Sequence, residues 1–548
     1  MKSLIITSAL PYANGEIHLG HIASTYLPAD IFTRYWRHLG RNVYHLCATD
    51  DFGTPILINA EKESITPQQY VKAWRDSDLK DFQSLGISFD YFSQTSSEEN
   101  IRLTQEIFNK LYQNGHIYEK NVVQYFCEFD KKFLPDRYVV GKCPFCLSEN
   151  QYSDLCENCG RVPDKILEPR CRICGQVPIK KASTHYFFRL STFSGQLRDW
   201  LTTNHNLQSD VTRYVLKWID EGLVDWDITR DLSWGVPIPK KEARGQVFYG
   251  WFDNHICYIS SFISFLKESG DKNGKEQWNS SEIFHFIGKD IVYHHYLFLP
   301  AIRMGIDYEY RLPDYIPTRG HLMLNNRKIS KSRGWYIGLR DFLQLFPSDY
   351  VRFYLARVTP FSQTDINFDW DVFIERINNE LIANVGNFIN RTLSFIKTNF
   401  GGHVPNPSVY DDVDQEVANR ISGIAGIVGT AISNNEIEKA MKEILDFSTS
   451  LNRYFQKKKP WEERHTAQNT LYISACAVQS LAILLDPFIP SSAVRIWDQL
   501  GLTGNVHNQN WILASQIDIK SGHKIGEVQP LFQKIEKSKL ALDKWKVD

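Results

Sequence analysis

The sequence predicts an α/β protein, a doubly wound parallel sheet broken by a cysteine-rich insertion and followed by an all-α helix bundle. Three observations carry this. Apolar strand-like runs alternate with periodic helical runs to about residue 115, and six of the ten cysteines fall between Cys143 and Cys174 in Cys-x-x-Cys pairs. From about Asp369 onward the pattern is helical.

Leu4, Ile5, Ile6 and Leu10 read as a buried strand, and Ile22, Tyr26, Ala29, Phe32, Trp36 and Leu39 as the apolar stripe of a helix ending near Gly40. Val43-Tyr44-His45-Leu46-Cys47 is a second buried strand, which makes residues 1–115 the opening of a doubly wound sheet. Asp50 and Asp51 fall at its carboxyl end, where open α/β sheets place ligands, so Asp50 is a candidate site residue. Residues 116–229, with cysteine pairs, proline-rich turns and mixed short strands, read as an insertion. The sheet resumes over 230–325, where Phe284-His285-Phe286-Ile287 ends in the polar tip Gly288-Lys289-Asp290. A loop and connecting segment cover 326–368. Helices predicted at 369–398, 412–431, 435–457, 465–485 and 530–544, with breaks at Pro460, Pro487 and Pro490, make 369–548 a bundle.

A chain of 548 residues, 43% hydrophobic and 23% charged, has the composition of a multidomain globular protein. A net charge of -1 excludes a generally basic nucleic-acid coat while leaving room for a local basic face. Met1-Lys2-Ser3-Leu4-Ile5 runs directly into a strand without a secretory apolar region, and no apolar run reads as long enough to span a bilayer. The expectation is a cytoplasmic protein with no membrane partner.

Two short blocks carry the chemistry. His18-Leu19-Gly20-His21 lies between the first strand and its helix, so its histidines share a face of the first turn, where free N–H groups and the positive helix end favour anions. Gly20 permits close approach of a nucleotide. Lys328-Ile329-Ser330-Lys331-Ser332 offers two lysines and two hydroxyls on a loop, donors for charge that grows on a pentavalent phosphate; Asn326 before it suits a turn. Alone, the first block fits a capped helix end and the second a solvated turn. Together, in this order, they point to ATP held between two half-sites.

Cys143-x2-Cys146-x9-Cys156-x2-Cys159 supplies four thiolates, enough to close a tetrahedral structural zinc site with no open position. Cys171 and Cys174, with Cys127 and Asp130, offer three thiolates and a carboxylate for a second zinc. The alternative is that Cys127 is a small buried residue and Asp130 a surface charge.

The chain resembles the class I aminoacyl-tRNA synthetases, and among them the methionyl branch, over essentially its full length. The likeness rests on Ala9-Leu10-Pro11-Tyr12-Ala13-Asn14-Gly15, Phe133-Leu134-Pro135-Asp136-Arg137-Tyr138, Asp227-Ile228-Thr229-Arg230-Asp231, Trp234-Gly235-Val236-Pro237 and Gly386-Asn387-Phe388-Ile389-Asn390-Arg391, in the family's order. It implies a Rossmann-type catalytic domain with a zinc-binding connective insertion and a helical anticodon-binding domain. It also implies a methionine–tRNA ligase that uses ATP with Mg2+ to make methionyl-adenylate and transfers methionine to its tRNA. The catalytic and ATP set is then His18, Gly20, His21, Arg230, Asp290, Lys328, Ser330 and Lys331, with Asp50 on the substrate amine. Asn387, Arg391 and Trp461 would read the anticodon, by hydrogen bonds and by stacking. No further β-rich module follows the bundle, and a monomer is expected.

In the amino-acid pocket Leu10, Tyr12, Trp251, Tyr258 and His295 fall where family residues lie, but the chain departs from the commonest form at Asn254, His255, His294 and Leu299. Three polar groups enter an apolar box. They either bond one another, backbone or water around an unchanged methionine slot, or make a paralogue that activates another amino acid or serves a non-tRNA acceptor. A metal held by these histidines finds no support in their spacing. A catalytically silent tRNA-binding module is disfavoured by the intact histidine and lysine pairs.

Overall fold

The computed structural model describes residues 2–135, 138–153, 156, 158–159, 161, 165–329, 334–462 and 464–539. The chain lays down β1 (Leu4–Ser8), β2 (Val43–Thr49) and β3 (Tyr91–Gln94), and leaves the sheet for an antiparallel ribbon of β4 (Ile117–Cys127) and β5 (Ile179–Phe188). It returns with β6 (Glu282–Gly288) and β7 (Thr318–Arg319). The main sheet is wholly parallel in the order β7-β6-β1-β2-β3. All five residues of β1 are buried, as expected of a central strand covered on both faces. Strand order reverses on either side of β1, so its carboxyl end and that of β6 border the crevice where such sheets bind ligands.

The first helical stretch begins at Leu19–His21, widens to a π-type turn over Ile22–Tyr26 and continues as α1 (Leu27–His38). Pro28, with no N–H to give, sits at the junction of the two windings. α1 is fastened through Asp30 to the segment that precedes the bundle and, through that, to the bundle. Buried Asp30 accepts from Arg34 Nε at 2.9 Å and from Arg352 at 2.7 Å, and Arg352 Nε also donates to the Phe488 carbonyl at 2.8 Å.

Between β5 and β6 the insertion is more helical than its sequence suggested: Ser194–Thr203 and Ser209–Glu221 are helices that bury Leu197, Leu201, Val211, Val215 and Ile219. Next come α2 (Gly250–Glu268), which covers the sheet beside the crevice, and α3 (Ser348–Val358), which carries Arg352. The bundle holds α4 (Asn387–Asn399), α5 (Asp412–Ser433), α6 (Ile437–Lys458), α7 (Arg464–Leu485) and α8 (Pro490–Gln499). Pro490, expected to mark a break, ends the gap after α7 by opening α8, where its missing N–H is no loss.

The helix expected at 530–544 is absent over 530–536, and residues 540–548 lie outside the described residues. The segment runs extended because side chains of other helices meet its backbone. Tyr350 accepts the Gln533 N–H and donates to its carbonyl, and Asn378 bonds the N–H and carbonyl of Ile535 in the same way. Within α7, Ala467–Leu485 is long and apolar enough to cross a membrane, contrary to the sequence reading, but it is buried at the centre of the bundle.

Candidate active site

At the carboxyl ends of β1 and β6 lies a cavity of about 570 Å³. Leu10, Tyr12, His18, Gly20, His21, Asp50, Arg230, Trp251, Asn254, Tyr258, Asp290, His295 and Lys328 all line it. The sequence-predicted residues thus converge from both halves of the sheet.

His18 stands at the helix N-terminus in extended conformation, and it and His21 form a reciprocal cap. The His21 N–H donates to His18 Nδ1 at 3.4 Å and the His18 N–H to His21 Nδ1 at 3.3 Å. A Cβ on Gly20 would come within 3.0 Å of the His18 ring and 3.2 Å of Ile329, so this glycine also serves the packing of the two blocks. Backbone also ties the first block to the segment that follows the second: Leu19 N–H donates to Ile337 O at 3.2 Å, and Leu339 N–H to Ile17 O at 3.0 Å. Lys328 is exposed on the hairpin of Leu322–Leu324 with Arg327–Lys328, whose turn holds Asn325 and Asn326 in left-handed conformation at φ 49° and 58°. Ser330, Lys331 and Ser332, like Asp136 and Arg137 of the earlier motif, lie outside the described residues.

Opposite the lysine hairpin, Asp290 approaches His321 at 3.3 Å. Burial would raise the Asp290 carboxyl, but the His321 hydrogen bond and the charges of His321 and Lys328 outweigh it and hold it below the usual range. His321 and Ile329 also line the cavity. Sequence reading passed over both: His321 belongs to no motif, and Ile329 is the apolar member of a block read for its charges.

At the other end, Asp50 is fixed through its backbone by bonds to Pro11 and Ala13 of 2.8 and 2.9 Å. Burial and the neighbouring Asp51 push its carboxyl up to about 7, against the pull of the Phe52 N–H and the Asn254 side chain. Burial raises Asp51 to about 6, opposed chiefly by the Ser96 hydrogen bond. Fully buried Asp253 is held well above the carboxylate range by burial and by the charge of Asp50. Of these three carboxyls Asp50 is the one on the cavity wall, with Asp51 and Asp253 buried behind it, and in its charged form it suits an ammonium group.

Two predicted pocket residues are not on the cavity wall. Trp251 stacks on His294 with centroids 3.9 Å apart and planes within 6°, and His255 lies behind them, 6.0 Å from Trp251 and 5.8 Å from His294. Burial and the surrounding histidines keep His255 neutral, and burial takes His294 down to about 3. Both ring nitrogens of His255 and Nδ1 of His294 are buried without a hydrogen-bond partner among the described residues. His295, on the wall, is satisfied by the Tyr258 hydroxyl at 2.8 Å and the Ile291 carbonyl at 3.0 Å.

Away from the cavity, Asn387 is exposed on α4, and Arg391 one turn on lies over Phe455 at 4.8 Å and Trp461 at 5.8 Å. Trp461 is 45% exposed. In the insertion, Cys143, Cys146, Cys156 and Cys159 form one group, and Cys127, Asp130, Cys171 and Cys174 another; the ligand atoms of each lie within 4.8 Å of one another. Sulfur pairs at 3.4 Å (Cys127–Cys174), 3.6 Å (Cys146–Cys156) and 3.8 Å (Cys143–Cys159) are far beyond a disulfide bond and near the edge of a thiolate tetrahedron around zinc.

Comparison with known proteins fits this geometry. Residues 4–393 match the family of class I tRNA synthetases (M), and residues 414–544 match the anticodon-binding domain of tRNA ligases. The methionine–tRNA ligase of Methanopyrus kandleri is 41% identical, the alignment covering 98% of this chain and 81% of that protein. The ligase of Methanobrevibacter smithii gives the same figures, and that of Thermococcus kodakarensis is 39% identical over 98% of this chain and 74% of its own length. In fold, the crystal structure of the Mycobacterium tuberculosis methionyl-tRNA synthetase bound by methionyl-adenylate superposes with a TM-score of 0.80 at 23% identity, covering 97% of this chain and all of that one. With a family match over most of its length and relatives about two-fifths identical over 98% of it, the chain belongs to the class I methionine–tRNA ligases.

Proposed function

We propose that the chain activates methionine with ATP and transfers it to the 3′ end of methionine tRNA. The convergence of the histidine pair, Lys328 and Asp50 on one cavity carries this reading. Asp50 holds the substrate ammonium and so aims the carboxylate at the α-phosphorus. A carboxylate oxygen forms the new P–O bond, and pyrophosphate leaves with the electrons of the bond that breaks. His18 and His21 hold the nucleotide at the helix start, and Lys328 and Lys331 stabilise the pentavalent phosphate, so catalysis is by positioning and charge. Mg2+, bound with ATP, neutralises part of the polyphosphate charge. A tRNA hydroxyl then attacks the mixed anhydride and AMP departs, while Asn387, Arg391 and Trp461 read the anticodon.

Each cysteine-rich group holds a structural zinc, since thiolates at these separations match its donor preference. The chain works as a cytoplasmic monomer, with catalytic halves at 1–115 and 230–325 around the insertion at 116–229, a loop and connector at 326–368, and the anticodon-binding bundle from 369.

ATP–pyrophosphate exchange with methionine and a panel of other amino acids, followed by charging of methionine tRNA, tests the reading; no exchange with any acid overturns it. In the same assay Lys331→Ala should slow adenylation far more than it weakens methionine binding. The unpartnered nitrogens of His255 and His294 favour a second reading, a side-chain slot that accepts a polar-tipped acid. Exchange with methionine sulfoxide or glutamine exceeding that with methionine would support it, and methionine-only exchange would remove it.

A further inference from the structure

His185, on β5 and 1% exposed, lies outside the cavity wall and belongs to none of the motifs above. Its Nδ1 lies 2.8 Å from Asp227 and its Nε2 3.0 Å from Asp231, with the Gln124 side-chain amide 2.5 Å from Nε2, and a proton on each ring nitrogen gives both carboxylates a donor. A ring that donates from both nitrogens is an imidazolium. The two carboxylates bracket Arg230, which is on the wall. Around Asp231 the other donors are neutral: Gln246 at 3.0 Å, Ser183 at 3.1 Å and Gln124 at 3.2 Å. Among the described residues Asp227 otherwise accepts from the Thr229 N–H at 3.1 Å and its hydroxyl at 3.3 Å, and the Arg230 guanidinium comes to 3.6 Å. That guanidinium also donates to the carbonyls of Thr229 and Asp227 and lies over Tyr249 at 4.1 Å.

Arg230 therefore has two competing destinations, the cavity and the Asp227 carboxylate. With His185 charged, the group of two aspartates, one histidine and one arginine is neutral, and Asp227 has its counter-ion. Without that charge, a partly dry carboxylate next to Arg230 would draw the guanidinium away from the wall. We propose that His185 is a positioning residue for adenylation, which neutralises Asp227 and so leaves Arg230 available to the substrates. The inference rests on the adenylation reading of the cavity. The two hydrogen-bonded aspartates outweigh burial and raise the imidazole to about 9, so the clamp is charged at neutral pH and releases in alkali. Asp227 and Asp231 are the ionisable groups that set this, with Arg230 the adjacent cation.

The test uses pyrophosphate exchange at saturating methionine and ATP, so that ionisation of the free substrates does not enter kcat. His185→Gln should lower kcat by roughly 100-fold, the lower end of the scale of losing one stabilising donor. Adding Asp227→Asn should restore most of the rate by removing the competing carboxylate, and His185→Gln made on an Arg230→Ala background should cost nothing further. The kcat of the unmodified protein should fall through about pH 9, and that limb should be missing in Arg230→Ala. A His185→Gln enzyme with unchanged kcat, or a loss that Asp227→Asn deepens and that adds fully to Arg230→Ala, overturns the proposal as a merely structural effect. If His185→Gln does not fold, the alkaline limb and its dependence on Arg230 decide. Absence of exchange in the unmodified protein would count against the adenylation reading itself, a different failure from an intact enzyme indifferent to His185.

Discussion

The rings of His18 and His21 stack with centroids 3.6 Å apart and planes within 15°, while each Nδ1 accepts the other's backbone N–H. The pair is thus a rigid helix start as well as two side chains in the cavity. His21→Ala removes one half of the cap and one wall of the nucleotide site together. Pyrophosphate exchange should fall by roughly 100-fold while methionine affinity changes little, because the lost contact belongs to the nucleotide and transition state. Equal losses in both would assign the pair to the amino acid.

Asp50 makes methionine binding depend on pH in a definite direction. Its carboxyl sits at about 7 in the free protein, so below that it is mostly neutral and cannot attract an ammonium. Binding draws it into the charged form and releases a proton. Methionine affinity should therefore be full above pH 7 and decline about tenfold per unit below it. Asp50→Asn should bind weakly at every pH, with a flat profile by titration calorimetry.

Metal content checks the insertion. Two zinc ions per chain are expected, and Cys127→Ser should lower this to one without disturbing the Cys143 group. One zinc in the unmodified protein would leave Cys127, Asp130, Cys171 and Cys174 as ordinary residues.

The exposed face of Arg391 and Trp461 predicts a split between the two half-reactions. Trp461→Ala should weaken tRNA charging by about 10- to 100-fold, the value of a lost base stack, and leave pyrophosphate exchange as it was. A matching fall in exchange would make Trp461 a structural residue of the bundle.

Asp486 ties the bundle to α1: His38 Nε2 lies 2.8 Å from one carboxylate oxygen and His507 Nδ1 2.5 Å from the other. Burial would raise Asp486, but the two histidines win and hold it near 2, below its ordinary 3.8. A depressed carboxyl stabilises the fold above about pH 4 and loses that contribution as pH falls toward 2. Asp486→Asn should cost on the order of 2 kcal/mol at neutral pH and remove this acid-sensitive part in denaturant titrations.

Local pattern made much of this legible. The strand-and-helix alternation at the N-terminus, the histidine and lysine blocks, Asp50 at a strand tip and the cysteine spacings all depend on short stretches of chain. Where a reading failed, distant groups had taken over. The extended course of residues 530–536 is dictated by Tyr350 and Asn378, about 150 to 180 residues away, which satisfy backbone groups a helix would have satisfied internally. His255 and His294, read as pocket residues, are off the cavity wall, on which Trp251 stands stacked against His294.

The sequence by itself determined that two ATP-handling blocks, an acidic strand tip, two sets of metal ligands and a helical tail belong to one chain, since residue type and short spacing suffice for each. Only the tertiary structure decided that the blocks share one cavity, that the helix bearing His18 and His21 runs on to a buried ionic contact with the bundle, and that His185 pairs with the aspartates around Arg230. Those relations join residues tens to hundreds of positions apart. They hold because burial leaves each charge no partner but the one the fold brings to it.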